Sequence, residues 1–131
     1  VAVGHGGRLA VARALAPLAR YEVGYTLPDA TAYEELAGLR LDRDRALPLR
    51  ARPEDHFALA TDRLLGEIDR HGLSALLMAN PANPTGHLIE GDDLARLVAG
   101  ARERDVLLLV DESASHFVYA PDGGAGAAPV S

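Results

Sequence analysis

The sequence predicts an α/β fold, a mainly parallel sheet with helices on both faces. Three observations carry this. Short apolar runs alternate with helical stripes along the chain. Residues 106–110 are apolar at every position, the composition of a strand buried between two helix layers. Residues 92–104 carry Leu94, Leu97, Val98 and Ala101 at helical spacing, which predicts one inward face.

Taken in order, residues 7–18 are rich in alanine and leucine and follow a glycine loop, which predicts a helix whose last turn Pro17 weakens. Residues 23–27 read as a short strand. Pro28-Asp29 then leads into a helix over 32–36, begun by Asp29 or Thr31 and ended at Gly38, with a further short strand at 39–41. The charged stretch 40–55 holds two prolines and predicts a strand around 47–49 flanked by loops. Thr61 caps a helix with Leu64, Leu65 and Ile68 as its apolar stripe, closed by His71-Gly72. Residues 74–79 form a continuous apolar strand, 80–86 a turn cluster, 92–104 the next helix, and 106–110 the last strand.

The chain has 131 residues, 13 basic and 19 acidic, for a net charge of −6. That balance repels polyanions, so neither nucleic acid nor an anionic membrane surface is expected as a partner. No cysteine is present, which removes disulfides and thiolate chemistry, and the five histidines lack ligand spacing, so no metal is expected. All 13 basic residues are arginines. Lysine-dependent covalent catalysis therefore has no residue within this chain. No apolar run approaches the ~20 residues of a bilayer span, and a cytoplasmic location is predicted. Val1 in place of an initiator methionine, and the Gly/Ala-rich end, predict a piece of a longer protein: a domain over 1–119 and a linker or tail over 120–131.

Chemistry concentrates where apolar strands end. Asn80-Pro81-Ala82-Asn83-Pro84-Thr85-Gly86 follows one such strand, at the edge where open α/β sheets bind ligands. Its two Asn-Pro pairs restrict the backbone, so the Asn83 amide can be aimed at a cleft; a plain turn with asparagine caps fits the same residues. Asp111-Glu112 ends the strand over 106–110 at the same edge. A carboxylate facing a heteroaromatic nitrogen favours its protonated form, and Asp111 can equally cap the turn that follows. Gly4-His5-Gly6-Gly7-Arg8 precedes a helix whose free N–H groups suit a phosphate. It fails the dinucleotide fingerprint, because Leu9 occupies the third glycine position.

Asn80-Pro-x-Asn83-Pro-Thr-Gly86, followed 28 residues after Asn83 by Asp111-Glu112, resembles the class I/II aminotransferases of pyridoxal-phosphate fold type I, histidinol-phosphate aminotransferase-like members above all. The segment Pro28-Asp29-Ala30-Thr31-Ala32-Tyr33 is similar to the family's Pro-x-aromatic-x-x-Tyr. The resemblance implies part of a fold-type I large domain and pyridoxal 5'-phosphate as cofactor. It implies that Asn83 donates to the cofactor's phenolic oxygen, that Asp111 pairs with its pyridine nitrogen, and that Gly6, Gly7 and Arg8 hold its phosphate. It also implies amino acid and 2-oxo acid substrates and a homodimer.

The sequence departs from the family at Ala30, where an aromatic ring usually stacks on the cofactor, and at Ala114, where a tyrosine usually offers its hydroxyl. The Schiff-base lysine is absent from these residues, so no catalytic residue is assigned within the chain. Three readings follow: a fragment of an aminotransferase, a degenerate noncatalytic module used for association, and, on fold analogy alone, a nucleotide-binding domain.

Overall fold

Four strands, β1 (Val23–Leu27), β2 (Ala46–Arg50), β3 (Ala75–Ala79) and β4 (Leu107–Asp111), form one parallel sheet in the order β2-β1-β3-β4 in the computed structural model, which describes residues 1–42 and 44–118. The proposed tail over 120–131 lies outside the described residues. Helices α1 (Gly6–Leu15) and α2 (Ala32–Arg40) cover one face; α3 (Thr61–His71) and α4 (Gly91–Glu103) cover the other. The expected parallel sheet with two helix layers is what the chain forms.

Alternation along β3 explains both layers. Leu76 and Met78 point into a core with Leu64 and Ile68 of α3 and Leu97 and Ala101 of α4, while Ala75, Leu77 and Ala79 pack with Leu15, Tyr33 and Ala37 on the opposite side. A strand covered on both faces has no place for a polar residue, and Ala-Leu-Leu-Met-Ala contains none. Strand β2 is an edge, which is why it tolerates Pro48 opposite Tyr25.

Several local expectations are corrected. Helix α1 ends at Leu15, and Ala16–Leu18 continues as a 3-10 turn with Pro17 near its start. Gly38 does not stop α2, which runs to Arg40, so the strand expected at 39–41 is absent; with no left-handed turn at Gly38, the helix simply continues. Thr61 is the first helical residue of α3 and not its cap; its buried hydroxyl donates to the Asp93 carbonyl of α4 at 3.1 Å. Val98 of α4 is 50% exposed, on the side facing away from the core. The apolar run over 106–110 predicts a strand buried on both faces, yet Leu107 is 49% exposed, because β4 is an outer strand of the described sheet. The apolar run identifies a strand but not its place in the sheet.

Candidate functional site

The parallel sheet brings its chemistry to one edge. Ala79 of β3 is in register with Asp111 of β4, and the Asn80 N–H donates to the Asp111 carbonyl at 3.0 Å. The Asn-Pro loop and the Asp111 carboxylate therefore leave the sheet side by side.

Asp111 is surrounded by donors. Its Oδ2 accepts from the Tyr33 hydroxyl at 2.9 Å, and its Oδ1 accepts from the Ser113 N–H at 3.0 Å and from the Ser113 hydroxyl. Burial pushes its pKa up, but the Ser113 hydroxyl and amide together with Tyr33 outweigh that and hold it below the usual carboxylate range. A carboxylate has about four acceptor positions. Three are filled here, so an ionised oxygen at the sheet edge keeps room for one more donor.

Helix α2 delivers Tyr33 from below. The ring is 1% exposed, and burial, the hydrogen bond to Asp111 and the charges of Asp111 and Asp29 raise its pKa far above the ordinary phenol value, so Tyr33 remains a donor. The sign of its pH effect follows. The native state holds the Tyr33 proton more tightly than the unfolded chain does, so this stabilisation is complete below the unfolded pKa, near 10, and declines as pH rises above it. Tyr33→Phe is expected to make the fall of unfolding free energy above pH 10 shallower, by up to about 1.4 kcal/mol per pH unit. At neutral pH the same variant is expected to lose about 1–3 kcal/mol through the unpartnered Asp111 oxygen. Urea denaturation across pH 7–11 measures both.

The Asn-Pro loop is closed by its first residue. The Asn80 side chain donates to the Ile89 carbonyl at 2.8 Å and accepts from the Ile89 N–H at 2.9 Å, pinning both ends of the loop. Within it the Gly86 N–H donates to the Ala82 carbonyl at 2.8 Å, with Gly86 at φ 72°, a conformation that favours glycine. Asn83 stands exposed near the apex, where its side chain makes no hydrogen bond to the described residues. It lines a shallow cleft with Pro84, Leu88, Ala114 and Phe117.

The glycine loop approaches from the other side. Helix α1 begins at Gly6, at φ 75°, and no side chain caps it. Its first N–H groups lack intrahelical partners. A β-carbon on Gly7 would lie 3.1 Å from the Ser113 hydroxyl, and Gly7, Asp111 and Ser113 line one cleft. Arg8 turns away: its exposed guanidinium pairs with Glu35 of α2 at 3.1 Å, leaving its backbone N–H at the helix end. The structure thus gathers Gly7 and Asp111 at one cleft, with Gly6 next to it at the start of α1, sets Asn83 on the same sheet edge in the neighbouring cleft across the 111–114 turn, and directs the Arg8 side chain elsewhere.

Sequence reasoning marked Tyr33 within a family-like segment but did not place it, Ser113 or Asp29 as supports of the site. Ser113 carries a local signal, since a serine two residues after an aspartate suits an Asx turn. Asp29, expected as a helix start, instead receives the N–H groups of Ala30, Ala79 and Asn83 and the Thr26 hydroxyl. No group of three metal-ligating side chains occurs among the described residues, and none of their helices is long and apolar enough to cross a membrane.

Residues 37–129 match the family model described as aminotransferase class I and II. The histidinol-phosphate aminotransferase of Rubrobacter xylanophilus is 35% identical over 104 residues, which cover 76% of this chain and 27% of that protein. The aromatic aminotransferase of Pyrococcus horikoshii OT3 superposes with a TM-score of 0.72 at 25% identity, covering 96% of this chain and 34% of its own. The pyridoxal-phosphate-bound C-S lyase of Staphylococcus hominis shares the fold at a TM-score of 0.62 and 19% identity, over 81% of this chain and 28% of that one. The chain spans roughly a quarter of the curated relative's length.

Proposed function

Because the chain belongs to the class I and II aminotransferase family, we propose that its sheet edge forms part of a pyridoxal-phosphate site in a protein that transfers amino groups between an amino acid and a 2-oxo acid. One observation carries the reading: Asp111 is held ionised by three donors while keeping one acceptor position unfilled, beside the uncapped start of α1.

The residues present fit the cofactor. A charged acceptor suits a pyridinium N–H, uncapped helical N–H groups suit a dianionic phosphate, and the Asn83 amide has no other partner among the described residues. When bound, pyridoxal phosphate supplies an electron-withdrawing ring that stabilises negative charge on the substrate carbon. The chain's part is electrostatic. Asp111 holds the proton on the ring nitrogen, Tyr33 and Ser113 hold Asp111 ionised and oriented, Asn83 donates to the phenolic oxygen, and the N–H groups of Gly6, Gly7 and Arg8 receive the phosphate. Homodimerisation and a cytoplasmic location belong to the same reading.

Ala30 and Ala114 favour a second reading, a noncatalytic relative, since neither can supply the ring or the hydroxyl that the family usually places there. A visible-absorbance titration of the full-length protein with pyridoxal phosphate separates the two. A saturable cofactor band that is abolished by Asp111→Ala is expected; no band at saturating cofactor supports the noncatalytic module. In the same titration, borohydride treatment of the 131-residue chain alone is expected to leave every internal residue unmodified, because it contains no lysine. Mass mapping of an adduct to an internal residue would contradict this.

A further inference from the structure

We propose that Asp29 is a positioning residue for Asn83. It sits directly after Pro28 at the carboxyl end of β1 and is 6% exposed. All of its acceptor capacity is used. Its Oδ1 accepts from the N–H groups of Ala30 at 2.9 Å and Asn83 at 3.2 Å, and its Oδ2 accepts from the Thr26 hydroxyl at 2.5 Å and the Ala79 N–H at 3.0 Å. Among the described residues it has no cation within ion-pair distance, so these four donors are what keep it in place.

The topology explains why a carboxylate is needed there. The β1–β3 ladder ends at Tyr25 opposite Leu77, two residues before β3 itself ends, while the β3–β4 ladder continues to Ala79 opposite Asp111. At the carboxyl edge β3 has therefore separated from β1 while still paired with β4. The Ala79 N–H faces the gap without a strand partner, and one oxygen of Asp29 receives it. The other oxygen reaches past the end of β3 to the backbone of Asn83. A single carboxylate thus spans the opening and ties the Asn-Pro loop to β1. Neither an amide nor a hydroxyl supplies four acceptor positions at once. Isolated burial of such a charge is unfavourable, and sequences retain unfavourable groups chiefly where a site requires them.

The consequence is geometric. Asp111 is fixed by Tyr33 and Ser113, and Asn83 by Asp29, so the spacing between the residues proposed to hold the ring nitrogen and the phenolic oxygen is set by two separate anchors. This inference rests on the cofactor reading for its purpose, but not for its structural content.

Two measurements on the full-length protein test it, with Asp29→Ala, Asp29→Asn and a control, Ile68→Val, buried in the core between the sheet and helices α3 and α4. In the protein without cofactor, Asp29→Ala is expected to speed amide exchange at Ala79 and Asn83 at least tenfold while leaving Ala51, bonded to Leu27 on the far side of β1, unchanged. The dissociation constant for pyridoxal phosphate is expected to rise about tenfold, the scale of losing one hydrogen bond to a charged group. Asp29→Asn, which keeps one acceptor oxygen, is expected to fall between, and Ile68→Val to move neither readout. If Asp29→Ala does not fold, Asp29→Asn carries the comparison. Unchanged exchange at Ala79 and Asn83 overturns the proposal, as does faster exchange with unchanged affinity, which would make Asp29 merely structural. An unmutated protein that binds no pyridoxal phosphate overturns the cofactor reading instead, and the exchange comparison still decides whether Asp29 holds Asn83.

Discussion

If the full-length protein transfers amino groups as proposed, Asp111→Asn is expected to lower its kcat/KM on the order of 10²- to 10³-fold, the usual cost of removing a preorganised electrostatic partner. Asparagine is nearly the same shape and keeps an acceptor oxygen for the Ser113 amide or Tyr33, so the fold should survive. What it loses is charge. Three hydrogen bonds hold Asp111 ionised against the effect of burial, two from Ser113 in the turn that follows and one from Tyr33, 78 residues away. A neutral amide could not keep a proton on the nitrogen of the proposed cofactor ring, so that ring would lose most of its power to accept electrons. Steady-state kinetics at saturating pyridoxal phosphate make the comparison, and circular dichroism checks that the fold is intact. A variant within threefold of the unmutated protein would remove Asp111 from the mechanism.

How much of this was legible beforehand depended on the distance over which each signal acts. Strands β3 and β4, and the layer formed by α3 and α4, were readable because an apolar run or a 3.6-residue stripe is a local pattern. The end of α2 was not, because a glycine stops a helix only if its backbone turns left-handed, and Gly38 stays within the helix. The edge position of β4 was equally hidden: Leu-Leu-Leu-Val has the same composition whether one neighbour or two lie beside it. The site divides in the same way. Asp111, Asn83 and the glycine loop stand at strand ends and a helix start, where sequence alone marks them. Their anchors do not. Tyr33 meets Asp111 across 78 residues and Asp29 meets Asn83 across 54, so only the sheet order β2-β1-β3-β4 brings each pair together. Thr61 shows the same limit, since its partner is the Asp93 carbonyl, 32 residues away.

Leu76→Ala is expected to cost about 3–5 kcal/mol, the upper part of the range for a leucine truncated in a close-packed core. Leu76 is fully buried in the middle of β3, opposite Gly24 of β1 and Leu108 of β4, and its side chain enters the core that Leu64, Ile68, Leu97 and Ala101 fill from two helices. The surroundings cannot easily close over the vacancy. Strand β3 is held by ladders on both sides, and α3 and α4 already pack on each other closely enough that a β-carbon on Gly100 would lie 2.7 Å from Leu65. A cavity that cannot collapse adds its own cost to the lost transfer free energy. Single domains are stable by only about 5–15 kcal/mol, so this one truncation removes a large share of the total. Leu39→Ala, on an exposed turn of α2, is the matched control and should fall within about 0.5 kcal/mol of the unmutated protein. Urea denaturation of the three proteins gives the comparison, with the m-value as a check that the denatured state is unchanged. A loss below about 1.5 kcal/mol for Leu76→Ala would mean that the two layers close over the gap, and that β3 is not the rigid centre from which Asp111 and the Asn-Pro loop take their positions.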